Sequence, residues 1–175
     1  MRNTPSSHSG MLAFRPSSVL LFSTIAGVCL AAAPFSIVVL PDTQYYTVNP
    51  GYGLYNAQAQ WIVANQAAWN IKFAIHLGDM TNANLTTEWS VARAAHDILD
   101  VANIPYSVLP GNHDYYGVGA AKWTDVCRRD LAKFNANFGP EKFSGKPWYG
   151  GNKGNTTNHN ENNYCLFSSE GLDFM

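Results

Sequence analysis

Charge is scarce in this chain. Asp, Glu, Lys and Arg make up 13% of its 175 residues, the formal net charge is −1, and no long basic run occurs. A surface that tracks nucleic-acid phosphates, or one that binds acidic lipids, needs clustered Lys and Arg, so neither is expected. Long hydrophobic runs are missing as well: Val19 to Leu30 is too short to span a bilayer comfortably. There is no internal repeat and no stretch of linker composition, which leaves one domain at most. Apolar residues are plentiful at 46%, enough for a folded core and too many for a disordered chain.

The first 33 residues read as a secretory signal peptide. Arg2 and Arg15 are the only charges before Asp42, the Val19–Leu30 run follows, and Ala31-Ala32-Ala33 supplies small residues for cleavage. Pro34 disfavours a cut after Ala33, so one after Ala31 is equally consistent. An uncleaved anchor or a misplaced start codon is the alternative. Val28 before Cys29 argues against a lipidated cysteine. The expected product is secreted or periplasmic, with no stable membrane anchor after cleavage. It would keep nine basic residues against twelve acidic ones, and Cys127 and Cys165, which an oxidising compartment would permit to pair. Asn84-Leu85-Thr86 and Asn155-Thr156-Thr157 match the glycosylation pattern.

Strands alternate with helices. Phe35–Leu40 is a continuous apolar, β-branched run and predicts a strand buried on both faces. A helix is expected over Leu54–Trp69, with Ala57, Trp61, Ala64 and Ala68 as its apolar stripe. A second strand is expected over Phe73–Leu77. A second helix follows from about Glu88 to Ala102, capped by Thr86 or Thr87, with Val91, Ala95, Ile98 and Ala102 on one face. Ile104–Leu109 is the third expected strand and Trp123–Phe138 the third helix. Residues 139–163 show no useful periodicity and read as a long surface loop. Strands are expected near 164–167 and 172–174. The pattern is that of an α/β domain with a mostly parallel sheet and flanking helices.

Three strand exits carry the chemistry: Leu40-Pro41-Asp42-Thr43-Gln44, Leu77-Gly78-Asp79 and Leu109-Pro110-Gly111-Asn112-His113-Asp114. In such sheets ligands bind outside the carboxyl ends of the strands, so the three can converge. Asp42 and Asp79 offer anionic oxygens, and Asn112 a neutral amide oxygen, for hard or borderline cations. Two such metals about 3.5–4 Å apart clamp a phosphoryl group. His113 as imidazolium could stabilise developing charge or protonate a leaving oxygen, and Asp114 could orient its ring. Singly, each of these residues is as readily a turn or cap residue. His76 and His96 read as structural, and His159 as a surface residue.

These motifs resemble those of the calcineurin-like metallophosphoesterases, from about Ser36 to Asp114 and more loosely to Met175. The family's blocks are Asp-x-His, Gly-Asp and Gly-Asn-His-Asp or -Glu. Here they are Asp42-Thr43-Gln44, Gly78-Asp79 and Gly111-Asn112-His113-Asp114. The resemblance implies the N-terminal part of an α-β-β-α sandwich and two divalent or trivalent metal ions, Fe, Mn or Zn. It implies hydrolysis of a phosphomonoester or phosphodiester by metal-bound hydroxide. Asp42 and Gln44 are then metal ligands, Asp79 the bridging ligand, Asn112 a ligand of the second metal, and His113 the catalytic imidazole assisted by Asp114. Gln44 stands where the family usually has His, as in some secreted bacterial members. The family's later His blocks, including Gly-His-x-His, have no counterpart in this chain. A catalytically incompetent remnant that binds a partner is the competing reading. A weaker one makes the Gly-, Asn- and aromatic-rich 139–163 segment, with Trp148, Tyr149 and Tyr164, a carbohydrate-contacting surface.

Overall fold

A computed structural model describes residues 33–48, 52–115, 130–153 and 159–175. The expected signal segment lies outside them, as do Cys127, Asn155 and most of the first half of the expected third helix. Among the described residues no helix is long and apolar enough to cross a membrane.

Strands β1 (Ser36–Leu40), β2 (Ile71–His76) and β3 (Tyr106–Ser107) form a parallel sheet in the order β1-β2-β3. Val38 lies opposite Ala74 and Leu40 opposite His76, while Ala74 also faces Tyr106. Parallel neighbours need crossovers. These are helices α1 (Tyr52–Asn65) and α2 (Thr86–Val101), which pack against each other. Two short helices, α3 (Ala132–Phe138) and α4 (Pro140–Phe143), follow. Then come the antiparallel pairs β4 (Tyr149–Asn152) with β5 (Asn163–Cys165) and β6 (Phe167–Ser169) with β7 (Leu172–Phe174).

The main core gathers Leu40, Tyr55, Ile62, Ala74, Trp89, Leu99, Tyr106, Phe134 and Phe138. Burying each large side chain of this kind contributes about 1.5–3 kcal/mol. A smaller cluster of Phe73, Trp148 and Cys165 is joined by Ile75 and Phe167. Phe73 and Phe167 stack at 4.8 Å. Lys142 ties α4 to α2 through Asp97 at 2.6 Å and Asp100 at 2.7 Å.

Several sequence expectations need correction. β1 is not buried on both faces: Ile37 is 40% exposed and Val39 50%. In α1 the buried residues are Tyr55, Ala59 and Ile62, whereas Ala57, Trp61, Ala64 and Ala68 are exposed. The helix carries apolar residues on both of these faces, so periodicity alone could not choose between them. Trp61 instead meets Trp69 edge-on at 5.9 Å. In α2 the core face centres on Trp89, Ala92, Ala95, His96 and Leu99; of the expected face Ala95 is buried, while Val91, Ile98 and Ala102 are only partly so. Neither Thr86 nor Thr87 caps this helix. The buried Glu88 carboxylate accepts the Ala83 and Leu85 N–H groups at 2.8 and 3.1 Å. The third strand is reduced to two residues, and the 139–163 segment contains α4 and β4, with Phe143 and Trp148 buried. The Asn84 amide is also buried, accepting the Trp89 indole N–H at 2.6 Å. That commits the first glycosylation triplet to the core. Cys165 is a buried free thiol, pushed up to about 11 by burial.

Candidate metal centre

The three strand exits meet at the carboxyl ends of β1, β2 and β3. Asp42 follows β1 and folds back on its own loop: its carboxylate accepts the Gln44 N–H at 2.9 Å and the Gln44 side-chain amide at 2.7 Å. Such short-range carboxylate bonds are the usual way an Asp closes a turn. With its amide nitrogen so engaged, Gln44 Oε1 is buried and has no hydrogen-bond partner. A buried amide oxygen without a partner costs free energy unless something else ligates it.

Asp79 follows β2 in the left-handed region, with φ +51°, directly after Gly78 at φ +90°. Two successive positive φ values turn the chain sharply away from the strand. The same turn comes so close to the third exit that a Cβ on Gly78 would lie 2.6 Å from the Gly111 nitrogen. A Cβ on Gly111 would run into the Asp79 backbone nitrogen and carboxylate. Glycine at 111 is thus required by the approach of the second loop. The Thr43 N–H donates to the Asp79 carbonyl at 3.2 Å, joining the first and second exits.

The third exit is a 3-10 turn over Asn112–Asp114. The His113 N–H donates to Asp79 Oδ1 at 2.7 Å. Asn112 is exposed, and His113 is half-buried. The His113 ring is oriented by the Asn82 carbonyl, 2.6 Å from Nδ1. That geometry makes Nδ1 the protonated nitrogen and leaves Nε2 open to accept or, when protonated, to donate.

Asp114 does not hold the His113 ring, contrary to expectation. Its buried carboxylate accepts the N–H groups of Gly111, Met80 and Thr81 at 2.9, 3.1 and 2.9 Å, and the Thr81 hydroxyl at 2.9 Å. Burial pushes its carboxyl above the ordinary value, against the downward pull of these bonds. Asp114 therefore ties the second exit to the third. Sequence reading missed Thr81, Asn82 and Thr43 as parts of this frame. Thr43 is flagged only by its place between Asp42 and Gln44, and Thr81 and Asn82 only by following Asp79.

Asp42, Gln44, Asp79 and Asn112 offer two carboxylates and two amide oxygens, the donor chemistry of hard divalent cations. The unpaired Gln44 Oε1 fits that use. Among the described residues no group of three or more His, Cys, Asp or Glu gathers as a metal cluster. Of these four donors only two are carboxylates, so the set leans on its amide oxygens.

A model of the calcineurin-like phosphoesterase family matches residues 35–173. An uncharacterized protein of Bacillus subtilis (strain 168), YvnB, is 35% identical over 142 residues. That match covers 81% of this chain and 10% of YvnB, so the chain spans about a tenth of the relative's length. With the matched region running through all three strand exits, the chain belongs to the calcineurin-like phosphoesterase family.

Proposed function

We propose that this chain supplies residues of a metal-dependent site that hydrolyses a phosphomonoester or phosphodiester. The observation that carries the reading is the stitching of three strand exits into one cluster through Asp79, which is bonded at its carboxylate by His113 and at its carbonyl by Thr43. Asp42, Gln44, Asp79 and Asn112 would hold two divalent cations. When bound, such cations neutralise phosphate charge and supply an activated water. The chain's own work is positioning and proton handling. Asp79, fixed at its carbonyl by Thr43 and at its carboxylate by His113, would be held in place as one of their donors. His113, held at Nδ1 by Asn82, presents Nε2 to the phosphoryl group. As imidazolium it donates a hydrogen bond to a phosphoryl oxygen or a proton to the leaving oxygen. The export implied by residues 1–33 belongs to the same proposal.

The test is hydrolysis of bis(p-nitrophenyl) phosphate and p-nitrophenyl phosphate with Mn(II), Zn(II) or Fe(II), with and without a chelator. Chelator-sensitive release of nitrophenol supports the reading, and the preferred substrate separates diesterase from monoesterase. No metal-dependent release with either substrate counts against it.

A further inference from the structure

His76 ends β2, three residues before Asp79, and is 1% exposed. A polar ring at such a position must find partners, and it finds one in each of the first two exits. Nδ1 accepts the Gly78 N–H at 3.0 Å, and Nε2 lies 2.9 Å from Thr43 Oγ1. Since Nδ1 is an acceptor, the neutral ring carries its proton on Nε2 and donates it to Thr43. Thr43 sits between Asp42 and Gln44, and Gly78 directly precedes Asp79. The ring is held from behind by Tyr55 at 5.9 Å and His96 at 5.6 Å. Among the described residues no other side chain bonds both of these loops.

We propose that His76 is a positioning residue of the metal centre: its neutral Nε2–H ring sets the separation of the Asp42–Gln44 loop from the Asp79 loop, and so the affinity for a divalent cation. This rests on the metal-site reading above. An apolar ring of similar volume would remove the side-chain partner of the Thr43 hydroxyl and the Gly78 N–H, and leave the Thr43 N–H to Asp79 carbonyl bond to hold the two loops in register.

The experiment is calorimetric titration of the metal-free protein with Mn(II), for the parent and for His76→Phe, His76→Gln and Thr43→Val. Far-UV circular dichroism confirms that each is folded. Loss of an outer partner of a metal ligand typically weakens binding by about 10- to 100-fold. That loss is expected for His76→Phe, and a smaller one for Thr43→Val, which keeps the shape and deletes only the hydroxyl. His76→Gln keeps a donor toward Thr43 and should recover part of the affinity. A merely structural role would lower stability without changing the affinity of the folded protein. Should His76→Phe not fold, Thr43→Val decides: parent-like affinity overturns the proposal. A two-bond 1H–15N spectrum of the parent at pH 7 should show the Nε2–H tautomer, and the Nδ1–H tautomer would overturn it. A parent that takes up no Mn(II) contradicts the metal reading itself and removes the role with it. Uptake by the parent that is matched by the variants contradicts His76 alone.

Discussion

The His113 N–H donates to Asp79 Oδ1 at 2.7 Å. One hydrogen bond thus fixes the residue expected to work on the substrate against the residue expected to bridge the metals. The bond is possible only because Gly111, two residues earlier, has no side chain to push the Asp79 loop away. The ring and the carboxylate belong to exits 34 residues apart, so their relation is a property of the fold rather than of either motif.

Asp114 should prove essential to that relation. Asp114→Ala removes the acceptor of four donors from Gly111, Met80 and Thr81. Leaving buried donors unpaired costs about 1–3 kcal/mol each when nothing relaxes, and relaxation will recover part of it. A net loss of about 3 kcal/mol is expected in urea unfolding. A midpoint equal to the parent's would mean these bonds contribute nothing.

Gly111→Ala and Gly53→Ala should have opposite signs. At 111 the added methyl meets the Asp79 backbone and carboxylate, whereas at 53, in α1, nothing lies within 4 Å. Overpacking of the first kind costs about 1–3 kcal/mol, and Gly→Ala in an exposed helix gains up to about 1 kcal/mol. Thermal melting of the two variants beside the parent checks both. Equal shifts would contradict the close approach of the loops.

Acid should destabilise the chain through its core histidines. Burial lowers His96 to about 4, and burial with the neighbouring His96 lowers His76 well below its ordinary value. The unfolded chain takes up these protons near pH 6.5 and the folded chain does not. Stability is therefore full above about pH 6.5 and falls as pH drops toward 4. His96 alone accounts for about 2 kcal/mol between pH 7 and pH 5. Burial raises Asp97 and Asp100, but hydrogen bonds and charge from Lys142, together with Arg93 at Asp97 and Lys146 at Asp100, outweigh it and hold both carboxyls below the ordinary value. Their contribution is lost only at lower pH, as they protonate. Asp114, with its raised carboxyl, works the other way. Urea unfolding at pH 7, 6 and 5 should show the slope, and His96→Leu should flatten it. A parent profile flat over this range would contradict neutral burial of both rings.

The sequence was most readable where chemistry forces residue type. The α/β alternation and the three polar strand exits were legible because strand-ending Pro and Gly punctuate apolar runs. Faces were harder. In α1 the stripe of Ala57, Trp61 and Ala64 competes with Tyr55, Ala59 and Ile62, and only tertiary packing selects the second. The β-branched run of β1 looked buried on both sides, yet Ile37 and Val39 face outward. Residues 139–163 hid α4 and β4 because both are short and their buried anchors, Phe143 and Trp148, are isolated in polar sequence. At the site, Asp42, Asp79, Asn112 and His113 stand out by residue type and Gln44 by the family resemblance, and the structure brings their three exits together. The frame was not: Asp114 lies beside His113 in sequence but bonds Met80 and Thr81, and Asn82 holds the ring instead.

The most direct test of the whole account pairs metal content with turnover in the parent, Asp79→Ala, Asn112→Ala and His113→Ala. The parent is expected to hydrolyse a nitrophenyl phosphate ester with bound metal. Asp79→Ala and Asn112→Ala should lose metal and abolish turnover. His113→Ala should keep its metal and slow by about 100-fold or more, the usual contribution of a positioned acid. Unchanged turnover in Asp79→Ala or Asn112→Ala, or loss of all metal from His113→Ala, would contradict it.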